Sequence, residues 1–144
     1  MIKIQKDIKI VFPIHPRTLK NLTNFGFEND IKNAQNLILT EPLGYLEFQK
    51  LMSNSKFVIT DSGGIQEETT ALKIPCITVR ENTERPITIW EGSNELVGLD
   101  MDKLYCFSQK AINNEWKKSS IPKFWDGKTA IRVVSEIENY FGIK

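Results

Sequence analysis

Apolar and polar positions follow two alternating rhythms along this chain. Short, nearly continuous apolar runs at Ile8–Ile14, Asn36–Thr40, Lys56–Thr60, Pro75–Val79 and Glu95–Leu99 predict strands. Helical spacing separates them. Pro16 to about Asn24 opens with a proline near its first turn, and Gly44 to Asn54 carries Tyr45, Phe48, Leu51 and Met52 along one side. A third helix is predicted from about Gly64 to Leu72, and a short helical segment ends at Gly92. Asp102 is placed to cap a helix reaching about Asn113. Residues 114–127 are irregular and rich in Lys, Ser and Pro, and Thr129 to Phe141 closes the chain with Ile131, Val134, Ile137 and Phe141 on one stripe.

Pro75-Cys-Ile-Thr-Val79 is too continuously apolar for a strand with one solvated face. That pattern belongs to parallel strands covered by helices. The predicted fold class is therefore α/β, a Rossmann-like open parallel sheet with helices on both faces and ligands at the C-terminal edge of its strands. Residues 1–144 are read as a single domain. The chain starts almost directly on a strand and its last helix has no evident partner, so half of a two-domain enzyme is expected.

Composition narrows the class. The 144 residues are 40% hydrophobic and 26% charged, enough for a core. Nineteen Lys and Arg against 18 Asp and Glu leave a net charge of +1, which offers no footprint for nucleic acid or an anionic membrane. The N-terminus lacks a signal-peptide core and no apolar run approaches the roughly 20 residues that span a bilayer. Cys76 and Cys106 lack metal-ligand spacing and are read as buried thiols, so a cytoplasmic setting is expected.

The densest chemistry lies in Phe57-Val-Ile-Thr-Asp-Ser-Gly-Gly-Ile-Gln-Glu-Glu68. A buried strand meets a small-residue turn, and a helix follows at once. The unpaired N–H groups and positive dipole end of such a helix attract an anion. Gly63 and Gly64 would let a phosphate approach the main chain, and Ser62 adds a hydroxyl. The simpler alternative is a tight turn capped by Asp61 or Ser62. Glu68 stands four residues after Gly64 on the same face, where its carboxylate could accept from two ribose hydroxyls. Glu67 points about 100° away and is read as solvated. A serine-protease reading of Asp-Ser-Gly-Gly fails, because the sole histidine, His15, has no protease-like surroundings and a helix follows the serine.

Other candidates surround this turn in sequence. Arg85, beside Pro86, would sit at the strand edge with Arg80, suited to a phosphate or sugar hydroxyl; a surface ion pair to Glu81 or Glu84 is equally simple. His15 ends the first strand and should reach the binding edge. Phe48 could pack in the core or contact a nucleobase, and Trp116 and Trp125 fit packing against a further domain.

Taken together, these residues resemble the C-terminal half of the non-hydrolysing UDP-N-acetylglucosamine 2-epimerases. The resemblance rests on Asp61-Ser-Gly-Gly-Ile-Gln-Glu-Glu68, Pro75, Arg80-Glu-Asn-Thr-Glu-Arg-Pro86, Glu91-Gly92 and Leu96-Val-Gly98. Pro13-Ile-His-Pro16 and Tyr45-Leu-Glu-Phe48 match in the same order, so nearly the whole chain is covered. It implies the C-terminal domain of a glycosyltransferase B-type fold that holds the nucleotide. On it, Ser62, Gly63 and Gly64 would bind the diphosphate, Glu68 the ribose and Phe48 the uracil. Arg85 would contact a phosphate or the sugar, and is the one candidate for a part in the chemistry. His15 would line the cleft near a regulatory nucleotide-sugar site.

The implied reaction interconverts UDP-GlcNAc and UDP-ManNAc by eliminating UDP across C1–C2 and adding it back. No metal or other cofactor is implied. The family's N-terminal catalytic domain is read as absent, so UDP binding without turnover is expected. The partner called for, besides a UDP-sugar, is a separate N-terminal polypeptide or a second copy of the chain. The alternative is a non-catalytic UDP-sugar binding or interaction module from a truncated gene.

Overall fold

A computed structural model describes residues 1–143. Strands and helices alternate, and every strand pairing is parallel. The chain groups into two compact units, one of Met1–Phe57 with Asp100–Glu115, the other of Val58–Leu99 with the chain from Trp116 onward. No described helix is long and apolar enough to cross a membrane.

In the first unit, β1 (Ile10–Pro13) pairs with β2 (Leu37–Thr40) in the register Ile10 to Leu37. Between them run α1 (Pro16–Asn24) and α2 (Glu28–Asn33). Residues 28–33 have no apolar periodicity, which is why the sequence pattern missed α2. The pattern also missed a 3-10 turn at Ile4–Lys6, whose Ile4 and Gln5 are buried. Gln5 accepts from the Asn36 N–H, and the Asn36 side chain donates back to its carbonyl, tying this turn to the start of β2. After α3 (Tyr45–Ser53), the unit is completed by α6 (Met101–Ile112).

The cap of α6 corrects the sequence reading. Asp100, not Asp102, is extended and accepts from the Lys103 N–H at 2.8 Å, because the helix starts one residue after the first acid of the pair. Leu104, Ser108 and Ala111 form its buried face. Cys106 lies about 200° around from Leu104 and is exposed, so the expectation of two buried thiols fails for it.

The second unit is a three-stranded sheet of β3 (Val58–Thr60), β4 (Cys76–Thr78) and β5 (Asn94–Leu96), with β4 central. All three residues of β4 are fully buried, as its apolar run requires. Burial pushes the Cys76 thiol pKa up, making it an inert packing group. α4 (Gly63–Leu72) and α5 (Ile87–Trp90) link the strands. Most polar side chains in this core are paired, the Gln66 Nε2 being without a partner among the described residues. The Thr69 and Thr70 hydroxyls donate to carbonyls one turn back, and the Ser93 hydroxyl donates to the Thr69 carbonyl. Trp116 donates its indole N–H to the Ser93 carbonyl at 2.9 Å and Lys117 donates to the carbonyls of Ile89 and Asn94. Trp116 is thereby tied into this unit. α7 (Thr129–Phe141) leaves Ile131, Val134, Ile137 and Phe141 exposed.

Gly92 follows α5 where the backbone meets α4. A Cβ there would lie 2.5 Å from both the Thr70 Oγ1 and the Thr88 carbonyl oxygen. Gly92→Ala is expected to destabilise the fold by about 1–3 kcal/mol, the usual cost of overpacking. Urea unfolding checks this: the midpoint should fall with little change in slope.

Candidate functional site

The turn between β3 and α4 is shaped by its own side chains. The Ser62 N–H donates to the Thr60 Oγ1 at 3.0 Å, which bends the chain off the end of the strand. Ser62 then sits at the N-cap in extended backbone, φ −88° and ψ 129°, with its hydroxyl making no capping bond. The first helical hydrogen bond runs from the Gln66 N–H to the Ser62 carbonyl. Among the described residues, no group accepts from the N–H groups of Gly63, Gly64 or Ile65. Nothing lies within 4 Å of where a Gly63 Cβ would stand, and at Gly64 only the Ser62 hydroxyl comes that close, at 3.8 Å. Three N–H groups at the positive end of a ten-residue helix thus lack a protein acceptor among the described residues, as an anion site requires.

The next residues of α4 divide by face. Gln66 points inward and is wholly buried. Glu68, half-buried and one turn above Gly64, has no hydrogen-bond or ion-pair partner among the described residues. Glu67 corrects the sequence reading. It is not simply solvated, because its Oε1 lies 2.9 Å from the Arg85 Nε. The contact is off the line of a hydrogen bond, and both side chains are about 40% exposed, so it contributes at most about 1 kcal/mol.

Arg85 is held chiefly by its backbone. Its N–H donates to the Thr83 Oγ1 at 3.0 Å, and the Thr83 hydroxyl donates to the Gln66 Oε1 at 2.6 Å. Its carbonyl accepts from the Thr88 hydroxyl at 2.7 Å and from the Thr88 N–H at 3.0 Å. Behind Thr88 the chain of bonds continues inward. The Asn94 Nδ2 donates to the Thr88 Oγ1 at 3.3 Å, and the Thr78 hydroxyl donates to the Asn94 Oδ1 at 2.7 Å. Thr78, Thr88 and Asn94 are fully buried. Of the two acids expected as surface partners, Glu84 is within 3.9 Å of the Arg85 Nη1. Glu81 is engaged elsewhere, accepting from the Leu99 N–H and lying beside Gly98.

Ser62, Gly63, Gly64, Glu68 and Arg85 all belong to the second unit, and His15 and Phe48 to the first. His15 caps α1, its Nδ1 accepting from the Arg17 N–H at 3.2 Å, which leaves an exposed ring with Nε2 outward. Phe48, on α3, is half-buried, while its neighbours Tyr45 and Leu46 are exposed. The sequence reading overlooked Gln66, Thr83, Thr88 and Asn94. Two of them lie inside the motifs quoted, but a glutamine in a helix and a threonine in a polar loop announce nothing until the fold pairs them.

The family model for UDP-N-acetylglucosamine 2-epimerase matches residues 1–138. The UDP-N-acetylglucosamine 2-epimerase of Methanocaldococcus jannaschii is 44% identical over 130 residues, covering 89% of this chain and 34% of its own. That of Methanococcus maripaludis is 44% identical over 135 residues, 92% of this chain and 35% of its own. The crystal structure of the M. jannaschii enzyme in complex with UDP-GlcNAc and UDP superposes with a TM-score of 0.78 at 42% identity, over 96% of this chain and 38% of that one. The S. aureus MnaA–UDP structure gives 0.77 at 27% identity, over 96% and 38%. The parallel, Rossmann-like α/β class expected from the sequence thus holds. Spanning about a third of the length of these relatives, the chain belongs to the UDP-N-acetylglucosamine 2-epimerase family.

Proposed function

We propose that this chain is the UDP-binding part of a UDP-N-acetylglucosamine 2-epimerase, with the diphosphate seated on the first turn of α4. The observation that carries the reading is the open set of N–H groups at Gly63, Gly64 and Ile65, free of any protein acceptor among the described residues. Ser62 supplies a hydroxyl that makes no capping bond, and Glu68 a carboxylate with no partner, poised for ribose hydroxyls one turn along. Arg85 adds a cation whose backbone is held on both sides by threonine hydroxyls. Solved relatives carrying UDP-GlcNAc and UDP support the ligand class. Phe48 and His15 remain proposed ligand contacts on the resemblance alone, to the base and near a regulatory nucleotide-sugar respectively, and residues 1–144 are proposed as one nucleotide-sugar-binding domain.

In the proposed reaction, UDP leaves C1 of the sugar as a proton leaves C2, and it returns after reprotonation on the other face. Negative charge builds on the β-phosphate as the C1–O bond breaks. Backbone amides and an arginine already in place would stabilise that charge more in the transition state than in the substrate. Removal of the C2 proton requires a positioned base. The resemblance assigns that base to an N-terminal domain, supplied either by a separate polypeptide or by the rest of a longer protein.

Calorimetric titration with UDP, UDP-GlcNAc and UDP-GalNAc tests the seat. Gly64→Asp should weaken UDP binding by at least about tenfold, because its carboxylate competes for the same positive helix end. The fold should survive, since the added Cβ meets only the Ser62 Oγ at 3.8 Å. Glu68→Ala should cost about tenfold toward UDP and nearly nothing toward inorganic pyrophosphate, which has no ribose. Equal heats from wild type and Gly64→Asp would refute the seat.

The 144-residue chain by itself is expected to bind UDP without interconverting UDP-GlcNAc and UDP-ManNAc. Proton NMR of the anomeric signals over a day would register turnover. Any accumulation of UDP-ManNAc would show that the acid–base groups lie within this chain after all.

A further inference from the structure

The proposed anion site needs Arg85 in a definite place, yet its side chain is 41% exposed and is steadied only by surface contacts, to Glu67 and to the carboxylate and carbonyl of Glu84. The backbone is different. Its N–H and its carbonyl are each engaged by a threonine hydroxyl, at 3.0 Å and 2.7 Å. Each threonine is anchored in turn to a fully buried amide side chain, Thr83 to Gln66 on α4 and Thr88 to Asn94 on β5.

The proton directions agree throughout. On one side, the Arg85 N–H donates to Thr83 and the Thr83 hydroxyl to the Gln66 Oε1. On the other, Thr78 donates to Asn94, Asn94 to Thr88, and Thr88 to the Arg85 carbonyl. In such chains every hydroxyl both gives and receives, and successive bonds polarise one another in a low-dielectric interior. Gln66 has a second consequence. It belongs to the same helix turn that presents the free amides, so the arginine loop is latched directly to the N-terminus of α4.

We propose that Thr83 and Thr88, backed by Gln66 and Asn94, are positioning residues that preset Arg85 against the anion seat. They act through the backbone and make no contact with ligand. The part of this claim that concerns ligand rests on the proposed UDP site; the clamp itself does not. Arg85 then reaches the diphosphate without first ordering its loop, an entropic cost that binding would otherwise carry.

Thr83→Val removes the hydroxyl while keeping the shape, at a half-buried position, and costs some stability because the buried Gln66 Oε1 loses its donor. It should weaken UDP binding by about fivefold, and Thr83→Ser should restore it. In an Arg85→Ala background the same change should have no further effect, which a role confined to overall stability would not reproduce. Additive losses in the double variant, or wild-type binding by Thr83→Val, would overturn the proposal. Hydrogen exchange at the Arg85 amide reads the clamp without ligand. Exchange should quicken by at least about tenfold in Thr83→Val and not in Thr83→Ser, beyond what the accompanying fall in global stability accounts for, since the change also leaves the buried Gln66 Oε1 without its donor. No quickening would overturn the clamp even if UDP binds. If wild type binds no UDP at all, the proposed function falls, and the exchange rates alone decide the clamp.

Discussion

Backbone N–H groups left over at a helix start are the constraint around which the second unit is organised. A helix cannot satisfy its own first amides, and burial elsewhere in this unit pairs nearly every polar atom. Apart from the Gln66 Nε2 and the Arg85 Nε, the unpaired donors fall where β3 hands the chain to α4. Thr60 bends the turn by taking the Ser62 N–H, and Ser62 stays extended without capping. Two glycines follow with open space above them. A serine hydroxyl turned onto the helix end would have closed part of the site. Its openness is a property of this local backbone.

That local feature is held from below by a core of unusual polarity for so small a sheet. Thr69, Thr70, Thr78, Thr88, Ser93 and Asn94 are all wholly buried. Replacing them with aliphatic residues would keep the volume and lose the directions. Hydroxyls and amides demand particular partners at particular angles, so they define where α4, α5 and β5 stand relative to one another. Gly92 shows how closely: a single methyl there collides with Thr70 and with the carbonyl of Thr88. Within this unit, then, hydrogen bonding sets position and apolar burial supplies the driving force.

How much of this was legible before the coordinates depends on whether the signal is local. The strand–glycine–helix turn was readable because β-branched residues, small residues and a helical pattern follow one another within a dozen positions. β4 was readable because an unbroken apolar run admits few other fates. By contrast, α2 has no apolar stripe to betray it, and the capping role of Asp100 against Asp102 turns on one residue of helix start. The Arg85 clamp was beyond reach for another reason. Gln66 and Thr83 are 17 positions apart, Thr78 and Asn94 are 16 apart, and nothing in either residue type requires the pairing. Glu67 was misjudged because helix geometry gives its direction but not what another loop brings to meet it.

The division of labour suggested by these features follows from where charge moves in the proposed reaction. A diphosphate leaving group needs donors aimed at its oxygens before the bond breaks, because reorienting them afterwards would cost the stabilisation they offer. Main-chain amides on a helix meet that need without side-chain freedom, and a cation whose backbone is latched to the same helix meets it nearly as well. Proton transfer at C2 has different needs: a group whose protonation changes, with room for the sugar to turn. A turn whose donors are all fixed in charge is suited to the first task and not the second. On this argument the two halves of the chemistry belong on separate structural elements. In the proposed reaction the glycine turn with Arg85 would govern departure and return of the nucleotide, and the acid–base step would fall to residues elsewhere.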